Sequence, residues 1–201
     1  MDTKTFEPGS GDQAQLAPAV PPLLNDNLDP ALLAGVDVRA LTDAPLKMLG
    51  VFELNCGPDV LWPLISTASG IATWFPIISG GRHDNSTSQT SSACDVGAKR
   101  YCQTIGMGVL DETILHWDPP RAYAYNVKNL MMPIRDHVAV MIVDPISPNH
   151  TRFVWLQYYR YKGLLMRHVF PTIMLTSMNI GLKSLIKKIG GGRIIQKMHL
   201  I

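Results

Sequence analysis

The fold is decided by residues 163–189, which read GLLMRHVFPTIMLTSMNIGLKSLIKKI. Apolar side chains recur along this stretch at the spacing of one face of an α-helix. Glycines at 190–192 mark its end, and Pro171 is expected to kink it because proline removes a backbone donor. A helix of about 25 residues is about 38 Å long, so this segment would span a whole domain.

Short apolar runs separated by turn residues precede this helix. Turns of hairpin length, such as Gly106-Met107-Gly108, predict an antiparallel meander of residues 98–105, 109–117, 121–128, 137–144 and 151–162. Earlier strands are predicted at 47–54 and 77–81, with short helices at 60–66 and 69–75 between them. We therefore expect an α+β fold, in which a curved sheet wraps the long helix and two short helices close one end. The space between sheet and helix either holds a small hydrophobic molecule or is filled by a solid core.

Composition divides the chain into three parts. Residues 1–45 are rich in proline and form either a flexible arm or one that packs over the pocket mouth, with a helical turn at 29–33. We expect residues 46–190 to form a ligand-binding domain and residues 191–201 to form a C-terminal tail. Inside the domain, the polar residues 82–95 form a long loop that is either mobile or a lid.

Charge and cysteine content exclude several classes of protein. A net charge of +2 is too small for a nucleic-acid-binding protein. The three cysteines have no repeated spacing, so neither a disulfide framework nor a metal site is expected, and no cofactor motif is present. No signal peptide and no uninterrupted apolar run of about 18 residues is found, which predicts a cytoplasmic protein without stable membrane insertion. We expect a monomer or a homodimer.

Several short motifs follow one another in a recognisable order. They are CGPDVLWPLIS at 56–66, WFPII at 74–78, VGAKR at 96–100, DETI at 111–114, WDPPR at 117–121 and GLKSL at 181–185. This set resembles the polyketide cyclase/dehydrase-like branch of the START / Bet v 1-like (SRPBCC) superfamily, over about residues 46–190. The resemblance implies the helix-grip fold. It does not imply one activity, since the superfamily holds cyclases, lipid and sterol carriers and hormone receptors.

The turn at Gly106-Met107 sets the register of the hairpin around it. If residue numbers across the hairpin add to about 212, Arg100 lies opposite Glu112, with Cβ atoms about 5 Å apart. An arginine and a carboxylate at that distance can form a bidentate pair. This pair either fixes the two strands or anchors a carbonyl or hydroxyl group of the ligand.

The last hairpin supplies candidate acid/base residues. A register sum near 296 places His137 opposite Tyr159 and Ala139 opposite Gln157, and Tyr125 can share the same space. Histidine is the usual acid/base near neutral pH, and tyrosine can donate to a developing enolate. These three residues are the candidate catalytic set, although aromatic residues that only form the wall are the alternative.

The remaining candidate ligand contacts come from the inner face of the sheet and from the long helix. We expect His168 to lie on the apolar side of that helix, either as a core residue or as a base facing the sheet. The expected contacts, besides Arg100 and Glu112, are Trp74, Ile114, Met141, Phe153, Trp155, Gln157, His168, Met174 and Met178.

Two functions fit these features. The first is binding of a lipid, a sterol-like molecule or a polyketide in an internal cavity, because the helix and wall are apolar. The second is a cofactor-independent polyketide cyclase or dehydratase that uses acid/base residues in that cavity. A third, an interaction module without a bound ligand, also fits the composition.

Overall fold

Eight strands and five helices make up the part of the chain that the computed structural model describes, residues 30–90 and 93–201. The strands are β1 Leu46–Leu54, β2 Ile78–Asp84, β3 Lys99–Thr104, β4 Gly108–Asp118, β5 Ala122–Lys128, β6 Ile134–Ser147, β7 His150–Tyr161 and β8 Gly192–Leu200. The helices are α1 Pro30–Leu33, α2 Val38–Leu41, α3 Pro58–Ser66, α4 Ala68–Ala72 and α5 Met166–Ile189.

All eight strands form one antiparallel sheet in the order β2-β3-β4-β5-β6-β7-β1-β8. Strands β2 to β7 pair with their neighbours in sequence, as a meander does. The sheet curves around α5, and the short helices α3 and α4 follow β1. The prediction of an α+β helix-grip fold is thereby confirmed.

Alternating side chains along the strands form two apolar layers. The inner face, which packs against α5, carries large residues such as Phe52, Tyr123 and Phe153. The outer face carries smaller branched residues such as Val140 and Val154. Most strands of an antiparallel sheet alternate apolar and polar residues because one face meets water. Strand β6 is buried on both faces, which explains its nearly continuous apolar run.

Helix α5 is the core helix of this fold. Gly190 ends it in the left-handed conformation (φ 87°), and its N–H donates to the carbonyls of Ile186 and Lys187. Although α5 is long and apolar enough to cross a membrane, Leu182, Leu185 and other residues of one side pack into the core. No membrane span is therefore implied.

The prediction that residues 191–201 form a tail is wrong. These residues form β8, which pairs with β1 and buries Met198 in the core. Arg193 Nε also donates to the buried carboxylate of Glu53 across the pair, at 2.6 Å. The partners lie about 140 residues apart in sequence, and polar residues interrupt the apolar pattern of β8, so no local signal marks it.

Residues 30–45 pack on the outer face of the sheet. Ala31, Val36 and Val38 are buried there, and Arg160 Nη1 donates to Asp43 Oδ1 at 2.7 Å. The described part of the predicted arm is therefore neither a free arm nor a cover over the pocket mouth, which lies on the inner side. The rest of the predicted arm, residues 1–29, lies outside the described residues.

The polar segment 82–95 is shorter as a loop than predicted. Its first three residues, 82–84, belong to β2 and pair with β3. Hydrogen bonds within the loop, from Thr87 Oγ1 to Gly97 O at 2.7 Å and from Thr90 Oγ1 to Asp95 Oδ2 at 2.7 Å, fold it onto itself. None of its described residues lines the pocket, so they do not form a lid over it.

Candidate functional site

A pocket lies between the inner face of the sheet and the N-terminal half of α5. Strands β3 to β7 form its floor, the turn after α4 forms one wall, and residues 170–178 of α5 cover it. Its volume is about 90 Å³. That is smaller than the roughly 300–1,000 Å³ of typical ligand pockets, so a large ligand would require side chains to move.

Nine of the predicted site residues line this pocket. The apolar ones are Trp74, Met141, Trp155, Met174 and Met178. The polar ones are Glu112, Tyr125, His137 and Gln157.

The other five candidates lie elsewhere. Arg100, Ile114, Phe153 and Tyr159 are fully buried in the core behind the pocket surface and do not line it. His168 is exposed at the start of α5, where it accepts a hydrogen bond from Arg167 Nε at 3.0 Å. The expectation that His168 faces the sheet is therefore wrong. Residues 168 and 170 lie on opposite sides of the helix, and Phe170 is the buried one.

Several pocket residues were not among the candidates. Phe75 stacks on Trp74 at 5.4 Å between ring centroids, and Phe170 is a large aromatic residue on the buried side of α5. Two sequence signals could have identified them. Phe75 follows the candidate Trp74 directly, and Phe170 lies four and eight residues before the candidates Met174 and Met178, on the same side of the helix. Met107 and Met132 line the pocket from loops, and no sequence pattern indicates which way a loop residue faces.

Arg100 and Glu112 lie opposite each other, as the register predicted. Arg100 Nε donates to Glu112 Oε2, and Nη1 donates to the carbonyls of Ile65 and Ser66 at 3.2 and 2.9 Å. These two carbonyls belong to the last turn of α3, so the guanidinium fastens that helix to the sheet. Nη2 is buried and has no hydrogen-bond partner among the described residues.

Burial and pairing act in opposite directions on the pKa values of these two groups. Burial raises the pKa of the Glu112 carboxyl, and the adjacent guanidinium opposes this shift. Burial alone would lower the pKa of Arg100, but the Glu112 carboxylate holds it well above its usual value. Burial raises the pKa of the neighbouring Cys102 thiol to about 12, so this thiol is protonated and is not a nucleophile.

His137 has both ring nitrogens occupied. The N–H of Val127 donates to Nδ1 at 3.1 Å, so the proton of a neutral ring lies on Nε2, which is 2.6 Å from Gln157 Oε1. Burial lowers the pKa of His137 to about 4. At neutral pH the imidazole is therefore an uncharged link between β5, β6 and β7, without a free lone pair for a substrate proton.

An irregularity in β6 separates His137 from Tyr159. Ala139 pairs with Gln157 as predicted, but the register shifts between Arg135 and Val138, so His137 has no direct partner on β7. Asp136 within this bulge has a positive φ of 56°. The predicted pairing of His137 with Tyr159 is wrong. Tyr159 instead lies against Phe170, with ring centroids 6.4 Å apart.

The free polar groups of the pocket are two N–H donors, the hydroxyl of Tyr125 and the carboxylate oxygen Oε1 of Glu112, since only Oε2 of that carboxylate accepts hydrogen bonds in the described parts of the chain. The indole Nε1 of Trp155 is buried and has no partner within the described parts of the chain. In the same part of the chain, the amide Nε2 of Gln157 and the hydroxyl of Tyr125 form no hydrogen bond, whereas Gln157 Oε1 is bound to His137. An indole N–H and an amide NH₂ can only donate, so they suit an oxygen acceptor.

A metal site is not formed by the described residues. Among residues 30–90 and 93–201, no group of three or more His, Cys, Asp or Glu side chains lies close enough to hold an ion. Of the described residues that line the pocket, only Glu112 carries a carboxylate, and that carboxylate already pairs with Arg100.

A curved sheet that grips one long helix around a mainly apolar pocket defines a helix-grip domain of the Bet v 1-like class. Comparison with family models agrees with this class. The chain belongs to the family described as polyketide cyclase / dehydrase and lipid transport, whose model matches residues 47–190. Membership supports a ligand-binding or cyclase role. No curated protein matches the chain in sequence.

Solved structures show the same fold at low sequence identity. A protein from Thermobifida fusca is 21% identical with a TM-score of 0.58, covering 72% of this chain and 93% of that one. Norcoclaurine synthase from Thalictrum flavum, in complex with dopamine and hydroxybenzaldehyde, is 14% identical with a TM-score of 0.50, covering 72% and 88%. The di-domain ARO/CYC BexL of the BE-7585A biosynthetic pathway is 12% identical with a TM-score of 0.52, covering 68% and 45%.

Proposed function

We propose that this protein binds one small, mainly apolar molecule that carries an oxygen acceptor, in the pocket between the sheet and α5. The observation that carries this proposal is the buried indole N–H of Trp155, which has no partner in the described protein and lies in an apolar wall. A buried donor without a partner costs about 1–3 kcal/mol. A ligand carbonyl or hydroxyl oxygen at this position would remove that cost.

The lining can adapt to a ligand larger than the present volume. Five methionines contribute to it, namely Met107, Met132, Met141, Met174 and Met178. Methionine is unbranched, with three rotatable bonds, so such a wall can change shape at low energetic cost. We expect the protein to act in the cytoplasm, as a monomer or a homodimer, without a cofactor and without nucleic acid.

The test compares two probes of similar size, acetophenone and ethylbenzene, which differ in the carbonyl group. In ¹⁵N-labelled protein, acetophenone should shift the indole N–H resonance of Trp155 strongly and ethylbenzene should shift it weakly. Trp155→Phe should weaken acetophenone binding about fivefold, the effect of losing a hydrogen bond of about 1 kcal/mol, and should leave ethylbenzene binding nearly unchanged.

Trp117→Phe is the matched control. The Trp117 ring packs on Trp62, with centroids 5.2 Å apart, and does not line the pocket. The control should not discriminate between the two probes. Equal loss of both probes in Trp155→Phe, or a loss of the same size in Trp117→Phe, would show that the indole N–H does not recognise the ligand.

A cyclase or dehydratase is the second candidate, and the free hydroxyl of Tyr125 favours it. This hydroxyl lines the pocket, and burial raises the pKa of Tyr125 well above its usual value, so it can act as a donor to an enolate oxygen but not as a base. His137, the predicted base, is occupied by Val127 and Gln157. If the protein turns over a polyketide-type substrate, Tyr125→Phe should lower kcat while the protein stays folded.

A further inference from the structure

Large apolar side chains project into solvent around the pocket mouth. We define the rim as Ile105, Leu130, Met131, Leu164, Leu165 and Ile173, each of which is at least 55% exposed. They come from the β3–β4 turn, the β5–β6 loop and the approach to α5, except for Ile173, which lies in α5 itself. Isolated exposed apolar residues are ordinary, but six around one opening indicate an interaction surface.

Hydrogen bonds hold these three segments together. Asn129 Nδ2 in the β5–β6 loop donates to the carbonyl of Met107 in the β3–β4 turn, at 2.9 Å, and to that of Val109 at the start of β4, at 2.8 Å. The N–H of Lys162, just before α5, donates to the carbonyl of Pro133 at 2.7 Å. The segments are adjacent to the pocket because Met107, Met132 and Ile173 line it. The rim is therefore one surface.

The charged groups beside the rim are mainly cationic. Lys128, Lys162 and Arg167 are exposed and form no ion pair with a carboxylate among the described residues. The nearby acids are already paired, Asp111 with Lys99 at 3.2 Å and Asp136 with Arg160 at 3.3 Å. This surface is complementary to anionic groups.

We propose that the rim docks on the surface of an anionic lipid bilayer, with the pocket mouth facing the acyl chains. This inference rests on the proposed function, because an apolar ligand could then pass between bilayer and pocket without crossing water. Apolar side chains would enter the boundary of the acyl chains, and the three cations would contact headgroups, as in other peripheral proteins. A twofold contact with a second copy would instead place the cations of both copies against each other.

The test is flotation of the full chain with phosphatidylcholine vesicles and with 3:1 phosphatidylcholine–phosphatidylglycerol vesicles. The protein should float with the anionic vesicles, and the bound fraction should fall as salt rises. Leu130→Asp with Met131→Asp should reduce binding at least tenfold. Lys162→Glu with Arg167→Glu should also reduce it at least tenfold. Leu32→Asp, at a leucine of 55% exposure on the opposite face of the sheet, should have no effect.

Each outcome is decisive. Absence of flotation with anionic vesicles, or equal loss in Leu32→Asp, overturns the docking inference. So does a dimer in sedimentation that disappears in the Leu130/Met131 variant, since it would show that a second copy covers the rim. Acetophenone binding without vesicles separates the two proposals. If it persists while flotation fails, docking alone is wrong, and if it fails while flotation persists, the proposed ligand is wrong.

Discussion

Replacing Arg100 by Met should destabilise the protein strongly and in a pH-dependent way. Arg100 is fully buried, and the substitution leaves the Glu112 carboxylate without its partner in the core. Breaking a buried ion pair on one side costs roughly 3–5 kcal/mol. The carbonyl of Ser66 also loses the donor that lies 2.9 Å away.

The double variant Arg100→Met, Glu112→Leu separates the two contributions. It removes the unpaired charge but still leaves the carbonyl at the end of α3 without its donor, which costs about 1–3 kcal/mol. We therefore expect the double variant to be about 2 kcal/mol more stable than Arg100→Met, although it carries one more substitution. Urea unfolding followed by circular dichroism, at pH 8 and pH 5, measures all three proteins.

The pH dependence has a definite sign. Without Arg100, burial raises the pKa of Glu112 above its unfolded value without opposition. Because this pKa is higher in the folded than in the unfolded state, the folded protein binds more protons, and its stability falls as pH rises. The stability lost by Arg100→Met, relative to the unsubstituted protein, should therefore be smaller at pH 5 than at pH 8. A loss below about 1 kcal/mol in the single variant, or a double variant less stable than the single one, would refute this reasoning.

Two further predictions concern stability. The pKa of His137 is lowered to about 4 in the folded state, so its unfolded form binds more protons, and stability should fall by up to about 3 kcal/mol as pH drops from 6.5 to 4. His137→Asn should lose this part of the pH dependence in urea titrations, and an unchanged difference between the two pH values would contradict it. Met198→Ala should cost roughly 2–5 kcal/mol because Met198 is buried between β8 and the core. A free tail would lose less than about 0.5 kcal/mol, and thermal unfolding distinguishes these values.

Local signals explain what sequence reasoning predicted correctly. The turn at Gly106 to Gly108 fixes the register of β3 and β4, and both glycines have positive φ, so the pairing of Arg100 with Glu112 follows from counting residues. The same counting gives Ala139 opposite Gln157. Where strands are joined by short turns, geometry over a few residues decides which side chains meet.

Non-local contacts explain what it missed. The bulge in β6 at Asp136 lies where Thr42 Oγ1 donates to the carbonyl of Asp136, from a segment 94 residues away. Strand β8 depends on its pairing with β1, where Arg193 meets Glu53 from 140 residues away. The side of α5 that faces the sheet is also set by tertiary packing, because both sides of this helix carry apolar residues and Val169 is exposed while Phe170 is buried.

The distribution of free and occupied polar groups limits which residues could take a proton from a ligand. A general base needs an unoccupied lone pair near a substrate proton. His137 has none, because Nδ1 accepts from Val127 and Nε2 is bound to Gln157. Glu112, in contrast, uses only Oε2 for Arg100 and keeps Oε1 free. The free N–H groups, Trp155 Nε1 and Gln157 Nε2, donate hydrogen bonds and do not change protonation near neutral pH. Such a pocket can hold and orient an oxygen atom. Turnover with His137 as the base would require one of its ring nitrogens to leave its present partner, so activity of that kind should depend on a rearrangement of the floor that binding alone does not need.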